Sequence, residues 1–357
     1  MRREETEEFP ESDAFGGAPH PRLAQRLIGH AAAETEILNA YREGRLAHAW
    51  LISGPEGIGK ATLAWRFARF VLAHPDSSAG AAREARDLGV DPTHPAARLV
   101  ASLAHPDFSL VRRGWQPDKK KFFTEIRVQD VRAALQVFQM SAAFGGWRAC
   151  IIDCAEDLNR SGANALLKMI EEPPQRSLIL IVAHRQGQVL PTIRSRCRQL
   201  KLDPLSESEV IETVVTLGPP WSEADSATVV RAARRANGSV REALARLSPG
   251  SKGIGALIDS TIAGLPRPDP SVVMKLADAL VSREADEAYQ AFHRELYDWL
   301  PKYVLKTASS MESAEELGGL WDRIRTAARE TETLNLDRRL HILAIFAEIA
   351  LTERRLR

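Results

Sequence analysis

The stretch AWLISGPEGIGKATLAWRFARFVL, residues 49–72, decides the fold of this chain. The run Ala49–Ser53 is apolar apart from its last residue and predicts a buried strand. The glycine-rich run Gly54–Lys60 follows it directly, and after Lys60 the apolar residues take up helical spacing. A strand, a glycine-rich turn and a helix in this order form the context that a phosphate-binding loop requires.

The run Gly54–Lys60 reads GPEGIGK and fits the pattern G-x-x-x-x-G-K. Glycines at this spacing let backbone N–H groups turn inward around phosphate oxygens, the helix N-terminus adds positive potential, and the lysine reaches the outer phosphates. We therefore predict a nucleotide phosphate site at Gly54, Gly57, Gly59 and Lys60. The alternative is a glycine-rich strand-to-helix turn with a solvated lysine.

The groups that would handle a nucleotide-bound metal are incomplete. The position after the lysine normally carries a hydroxyl that binds Mg²⁺, and here it is Ala61. Thr62 follows, but successive helical residues point about 100° apart, so Thr62 is not expected to reach the same metal. Asp153 ends the apolar run Cys150–Ile152, as an acid near Mg²⁺ would, yet Cys154 stands where a glutamate would polarise the attacking water.

These substitutions leave ATP binding open as an expectation and argue against efficient metal-assisted hydrolysis. Asp153 itself has an alternative role, as an acid that ends a strand or caps a helix.

Short apolar runs alternate with helical patterns over residues 21–203. The runs are Ala49–Ser53, Phe108–Arg112, Arg148–Asp153, Leu178–Ala183 and, more weakly, Arg198–Leu202. Strands that alternate with helices predict right-handed crossovers and a mostly parallel sheet covered on both faces. The fold class is therefore α/β.

The rest of the chain has no strand pattern. Residues 204–250 predict a few short helices, residues 251–270 a Gly/Ser/Pro-rich linker around one short helix, and residues 271–357 a helical domain. Residues 1–20 are acidic and polar at the start and predict a disordered tail without a secretion signal.

The composition excludes several classes of protein. The net charge is +1, from 48 Lys and Arg against 47 Asp and Glu, so no overall field draws the chain onto nucleic acid. Its 3 cysteines, Cys150, Cys154 and Cys197, form no C-x-x-C pair, which argues against disulfides and a thiolate zinc site and favours the cytoplasm. No apolar run reaches the ~18 residues of a membrane span.

Four motifs occur in order over residues 20–250. They are His48–Leu51 leading into GPEGIGKATLA, Asn164–Lys168 leading into EEPP, Arg194–Cys197, and Gly238–Leu244. Together they resemble the bacterial clamp-loader family, the AAA+ proteins of DNA polymerase III. The resemblance implies an AAA+ P-loop NTPase-type parallel sheet domain at 21–203, a small helical lid at 204–250 and an all-helical C-terminal collar domain at 271–357. The C-terminal third matches only in helical character and length.

The resemblance also implies roles for two arginines. Arg196 lies in Ser-Arg-Cys, where the family carries an arginine finger that reaches the nucleotide of a neighbouring subunit. The alternative is a surface arginine in a basic stretch with Arg194 and Arg198. Arg241 matches the family's second-sensor arginine, which contacts nucleotide bound by its own subunit; the alternative is a solvated arginine on a short helix.

Two departures from the family pattern narrow the identity. The motor (gamma/tau-type) subunits keep the Lys-Thr and Asp-Glu pairs, so their loss here favours a subunit that does not itself drive the cycle. The motor subunits also carry a four-cysteine zinc module between the two elements. Residues 74–106 contain no cysteine here, which is unusual for either kind of subunit, so no zinc is expected. The implied partners are the gamma/tau and delta subunits, the sliding clamp within the complex, and primer-template DNA through the complex, with no membrane.

Two rival functions remain open. One is a working ATPase motor that uses Glu156 and Thr62 as substitutes, and the other is a stand-alone DNA-binding regulator. Lys119–Lys121 would suit DNA phosphates, although a run this short is more typical of a solvated hairpin or loop.

Overall fold

The computed structural model of the chain describes residues 9–247, 254–281, 286–308, 310–334 and 336–356. The chain divides into two compact units, Met1–Arg241 and Glu242–Arg357. The finer division at residues 203, 250 and 270 stays a prediction.

The first unit is built on a parallel sheet. Its strands are β1 (Ala49–Ser53), β2 (Phe108–Arg112), β3 (Trp115–Gln116), β4 (Lys121–Phe122), β5 (Arg148–Asp153), β6 (Ser177–Ala183) and β7 (Arg198–Lys201). Five of them pair in the order β2-β5-β6-β1-β7, and every pairing is parallel. β3 and β4 form a separate antiparallel hairpin. The predicted α/β class and its five strands are confirmed, with ends that agree to within one residue.

Helices cover the sheet and extend beyond it. In the first part of the chain they are α1 (Ala31–Arg42), α2 (Lys60–Ala73), α3 (Gly80–Glu84), α4 (Pro95–Ala101), α5 (Val128–Leu135), α6 (Arg160–Glu171), α7 (Pro191–Arg194), α8 (Glu207–Thr216), α9 (Ser226–Arg235) and α10 (Val240–Leu247). α8 begins at a capping box in which Ser206 and Glu209 bond reciprocally.

Side chains of alternate strand residues enter two separate cores, as the pleat of a strand requires. Trp50 and Ile52 of β1 pack with Trp65 of α2 on one face, and Leu51 packs with Leu166 of α6 on the other. All of these side chains are fully buried. A parallel sheet covered by helices on both faces is what the sequence predicted, and it is confirmed.

The predicted tail at residues 1–20 differs from the structure in its second half. Residues 1–8 lie outside the described residues. Within residues 9–20, Asp13 accepts a hydrogen bond of 2.5 Å from Arg112, 99 residues further on, and its side chain is only 1% exposed. Ion pairs with a distant strand hold the segment in place. The prediction of disorder used only the segment's own composition, which contains few apolar residues and gives no sign of these pairs.

The second unit is helical. Its elements are α11 (Ile254–Ala263), α12 (Pro270–Ala279), α13 (Asp286–Thr307), α14 (Met311–Leu334) and α15 (Arg338–Arg355). One core joins them, with Leu276, Phe292 and Ile342 fully buried. α11 lies in the predicted linker, and its Ile258 belongs to this core. Among the described helices, none combines the length and the apolar character needed to span a lipid bilayer.

A histidine pair ties α13 to α15. His293 Nε2 and His341 Nε2 are 3.1 Å apart, while the ring centroids are 5.3 Å apart with planes at 5°. These values fit only if the two nitrogens point straight at each other. His293 Nδ1 lies 3.0 Å from the carbonyl oxygen of Tyr289, so it carries the hydrogen and Nε2 accepts. His341 therefore donates its Nε2 hydrogen to Nε2 of His293, and a single hydrogen lies between the two nitrogens.

The histidine pair predicts acid sensitivity of the second unit. Burial and the neighbouring His293 lower the pKa of His341 to about 4, below the ~6.5 of an unfolded histidine. The folded state therefore favours the neutral ring, and stability is lost as the pH falls from ~6.5 toward 4, by about 3 kcal/mol. His341→Gln, which keeps a donor without titrating, should shrink this loss in urea unfolding followed over pH. His94→Gln is the control and should lose as much stability as the wild type. An equal loss in the wild type and in His341→Gln would contradict the assignment of the acid sensitivity to His341.

A buried ion pair anchors α2 to α1. Arg66 Nε lies 2.8 Å from Glu34 Oε1, and the two side chains are 3% and 6% exposed. Glu36, two residues further along α1, pairs with Arg198 at 2.7 Å. In this pair the Arg198 side chain is 46% exposed and the Glu36 side chain is 40% exposed. The helix thus carries one buried and one exposed ion pair of the same chemistry.

The two acids of α1 should differ sharply in their effect on stability. Glu34→Ala leaves the buried Arg66 guanidinium with only the exposed carboxylate of Asp87, at 3.3 Å, and should lower the free energy of unfolding by about 3 kcal/mol. Glu36→Ala should lower it by about 0–1 kcal/mol because its pair is solvated. Urea titration followed by far-UV circular dichroism measures both, and similar losses for the two variants would show that Arg66 does not depend on Glu34.

Candidate functional site

The predicted phosphate loop, Gly54–Lys60, connects β1 to α2, and close contacts fix its shape. Gly57 has φ +78°, and a Cβ at this residue would lie 2.3 Å from Ser239 Oγ. Gly54 has φ +147°, and a Cβ there would lie 2.4 Å from the carbonyl oxygen of Leu202. Only glycine is compatible with these two positions. The loop also binds the helical segment that follows the sheet, because the Val240 N–H donates to Gly57 O at 2.8 Å.

The loop presents donors suited to phosphate. α2 begins at Lys60, and its N-cap residue Gly59 makes no side-chain cap bond, so N–H groups of the first turn have no side-chain acceptor there. Lys60 is 2% exposed, and its ammonium donates to Pro55 O. Burial lowers the pKa of Lys60 to about 8, although the charges of Asp153 and Glu56 oppose this.

The metal half of the site is incomplete, as the sequence indicated. Asp153 ends β5, and burial with the charge of Asp13 raises its pKa to about 7, while Lys60 opposes the shift. Burial also raises the pKa of the Cys154 thiol, which is 8% exposed. Ala61 has no oxygen to offer. Ala61, after Lys60, thus does not supply the metal-binding hydroxyl of a complete site, and Cys154, after Asp153, does not supply its second carboxylate.

Glu156 is committed to a local contact. Its Oε1 accepts a hydrogen bond from the Arg185 N–H. Burial would raise the pKa of Glu156, but this hydrogen bond and others outweigh it, so the pKa lies below the ordinary value. The carboxylate is charged and already bound to backbone, which makes it a poor substitute for the glutamate that Cys154 replaces.

One group of possible metal ligands occurs within the described residues. Ligand atoms of Asp153, Cys154 and His184 lie within 4.8 Å of one another. Burial and the charge of Lys60 lower the pKa of His184.

Arg241 lies beside the phosphate loop. Its Nε is 3.2 Å from Glu56 Oε1, and its guanidinium carbon lies 5.3 Å from the ring centre of Phe15. The predicted sensor arginine is therefore near the predicted phosphate site.

Arg196 lies at the other edge of the sheet. In the parallel pairing of β1 and β7, Arg198 is level with Trp50. Gly54 lies four residues beyond Trp50, roughly 13 Å along the strand direction, and Arg196 lies in the turn that precedes β7 at the opposite end. The Arg196 side chain is 42% exposed and pairs with Glu171 at 2.8 Å. It cannot reach the phosphate loop of its own chain.

The structure thus gathers Gly54, Gly57, Gly59, Lys60, Asp153 and Arg241 at one edge and separates Arg196 from them. Sequence analysis missed Asp13 and Phe15, which reach the same edge from the N-terminal segment. Their only signal was two residues, Glu11 and Asp13, of like charge within a polar stretch, and this does not identify a partner.

Comparisons with known proteins point to one family of replication proteins. The family model described as DNA polymerase III, delta subunit, matches residues 29–206. DNA polymerase III subunit delta' of Pseudomonas aeruginosa is 36% identical over 153 residues, which are 43% of this chain and 42% of that protein. DNA polymerase III subunit gamma of Buchnera aphidicola from Schizaphis graminum is 26% identical over 227 residues, 63% of this chain and 57% of that protein.

A second delta' relative is more distant. DNA polymerase III subunit delta' of Bacillus subtilis is 26% identical over 181 residues, 50% of this chain and 49% of that protein. The chain spans about half the length of the curated relatives it matches. The family match and these relatives together show that the chain belongs to the delta-prime family of DNA polymerase III subunits.

Proposed function

We propose that this chain works as the delta-prime subunit of a bacterial clamp loader, the assembly that uses ATP to place a sliding clamp on primed DNA. It lends Arg196 to the ATP site of a neighbouring subunit and does not itself hydrolyse ATP. One observation carries this proposal. An exposed guanidinium lies at the sheet edge opposite a phosphate loop that lacks its metal-binding hydroxyl and catalytic glutamate.

The surroundings of Arg196 support a role in trans. Its partner Glu171 is 47% exposed, and such a solvated pair is worth only about 0–1 kcal/mol. A nucleotide phosphate from another subunit can therefore replace the carboxylate at little cost. Once there, the guanidinium would meet the negative charge that develops on the transferred phosphoryl group.

The chain's own loop supports phosphate binding without turnover. Lys60 and the N–H groups at the start of α2 would hold the phosphates of ATP, and Arg241 would lie nearby as the sensor. Bound Mg²⁺ would supply charge neutralisation in a complete site, but Ala61 and Cys154 do not fit it. A nucleotide that enters this loop would be held rather than split.

The partners follow from this assignment. We place the chain in the cytoplasm beside a gamma/tau subunit and the delta subunit, with the sliding clamp and primer-template DNA engaged through the complex. The coupling requires an interface whose geometry changes with the neighbour's nucleotide. Arg196 is the residue that would sense that change.

Removal of the finger should reduce the ATP turnover of the assembled loader. Arg196→Ala should slow the one contacted site by roughly 10³ and leave the other sites active, so that total turnover falls only in part. Arg198→Ala is the matched control, because Arg198 has similar exposure and pairs with Glu36 at 2.7 Å. Steady-state ATPase of the reconstituted loader with clamp and primed DNA measures both. Equal turnover of Arg196→Ala and wild type would refute the finger.

The isolated chain should show no turnover that depends on its own phosphate loop. We expect wild type and Lys60→Ala to hydrolyse ATP at the same background rate, because Ala61 and Cys154 cannot complete the site. A phosphate-release assay with Mg²⁺ measures this. Turnover by the wild type that Lys60→Ala abolishes would favour the rival motor function, with Thr62 and Glu156 as substitutes.

A further inference from the structure

The N-terminal strap, which we define as residues 9–20, is bound to the end of β2. Arg112, the last residue of that strand, donates to Glu11 at 2.7 Å and to Asp13 at 2.5 Å. Its side chain is 20% exposed. One arginine at the carboxyl edge of the sheet therefore holds two strap carboxylates.

Asp13 is a buried charge that lies against an arginine and a histidine. His20 Nδ1 accepts from the Arg22 N–H at 3.0 Å, so the hydrogen of a neutral ring lies on Nε2, which is 3.2 Å from Asp13 Oδ2 but does not form a well-aligned hydrogen bond with it. Burial would raise the pKa of Asp13, but the nearby His20 and the charge of Arg112 outweigh it, and the pKa is lowered. Asp13 therefore remains a carboxylate at neutral pH.

The strap then reaches the phosphate-loop side of the site. The Phe15 ring centre is 6.4 Å from that of Trp221 and lies under the Arg241 guanidinium at 5.3 Å. Arg241 in turn contacts Glu56 of the phosphate loop. Asp13 thus contacts Arg112 at the end of β2, and Phe15, only two residues later, contacts Arg241 beside the phosphate loop.

The strand order shows what lies beneath the strap. β2 and β1 are separated by β5 and β6, so their ends are roughly 14 Å apart. Asp13 and Phe15 are at most ~7 Å apart along the chain, so the side chains of Arg112 and Arg241 cover the remaining distance. The two strands in between end next to Asp153 and His184. The charge of Asp13 acts on Asp153, consistent with this placement.

We propose that the N-terminal strap competes with nucleotide for the entrance of the phosphate site. This inference rests on the assignment of Gly54–Lys60 as a phosphate loop in the proposed function. A nucleoside triphosphate brings several negative charges, and the Asp13 carboxylate repels them while the strap occupies Arg112 and Arg241. Nucleotide therefore enters only when the strap is displaced, and the strap keeps the affinity low.

The first test removes the strap's charge and keeps its size. Glu11→Gln/Asp13→Asn should bind a fluorescent ATP analogue about tenfold more tightly than the wild-type chain, with or without Mg²⁺. Phe15→Ala should also bind more tightly, because it frees Arg241. Glu43→Gln, an exposed acid paired with Arg45, should leave the affinity unchanged. Unchanged affinity in the strap variants, or no binding by wild type and variants alike, would overturn the proposal.

The second test needs no variant and so does not depend on folding. Hydrogen exchange of residues 9–20 in the wild-type chain should accelerate when ATP is added at millimolar concentration, since the strap must leave. ATP binding, followed by fluorescence, with no change in this segment would also overturn the proposal. Both tests use the isolated chain, whereas the Arg196 test uses the assembled loader. Failure of the finger would therefore not be confused with failure of the strap.

Discussion

The parallel pairing of β1 with β7 is the constraint on which the rest of the structure depends. It fixes the end of one strand and the beginning of its neighbour at opposite edges of the sheet, and so separates the phosphate loop from Arg196. A side chain cannot bridge that distance within one molecule. The same pairing places Gly54 against the carbonyl of Leu202, just after β7, so the strand that follows Arg196 also shapes the loop.

The sheet could be predicted from the sequence because its signals are local. Each strand buried on both faces is a short apolar run, and glycine with lysine after β1 marks the turn into α2. The departures at Ala61 and Cys154 were equally visible, since each is judged by its distance in sequence from a motif. The C-terminal helices were predicted as helices, but no motif there indicates which of their faces pack together.

The strap could not be predicted for the opposite reason. Glu11 and Asp13 gain their partner from Arg112, about 100 residues away, and composition assigns such acids to a disordered tail. Arg112 gives no clearer signal, because in the sequence it stands beside Arg113 and close to Lys119–Lys121. Long-range ion pairs become visible only when the fold brings their members together.

The hydrogen bond between His293 and His341 gives the second unit an intrinsic spectroscopic reporter. Because the ring proton on Nε2 of His341 lies between two buried imidazoles, it is shielded from water and has a nitrogen acceptor on its far side. Its NMR resonance would be displaced far downfield and would persist only while α13 and α15 stay docked. A single imino signal would thus follow the integrity of these helices in solution without any label in the backbone.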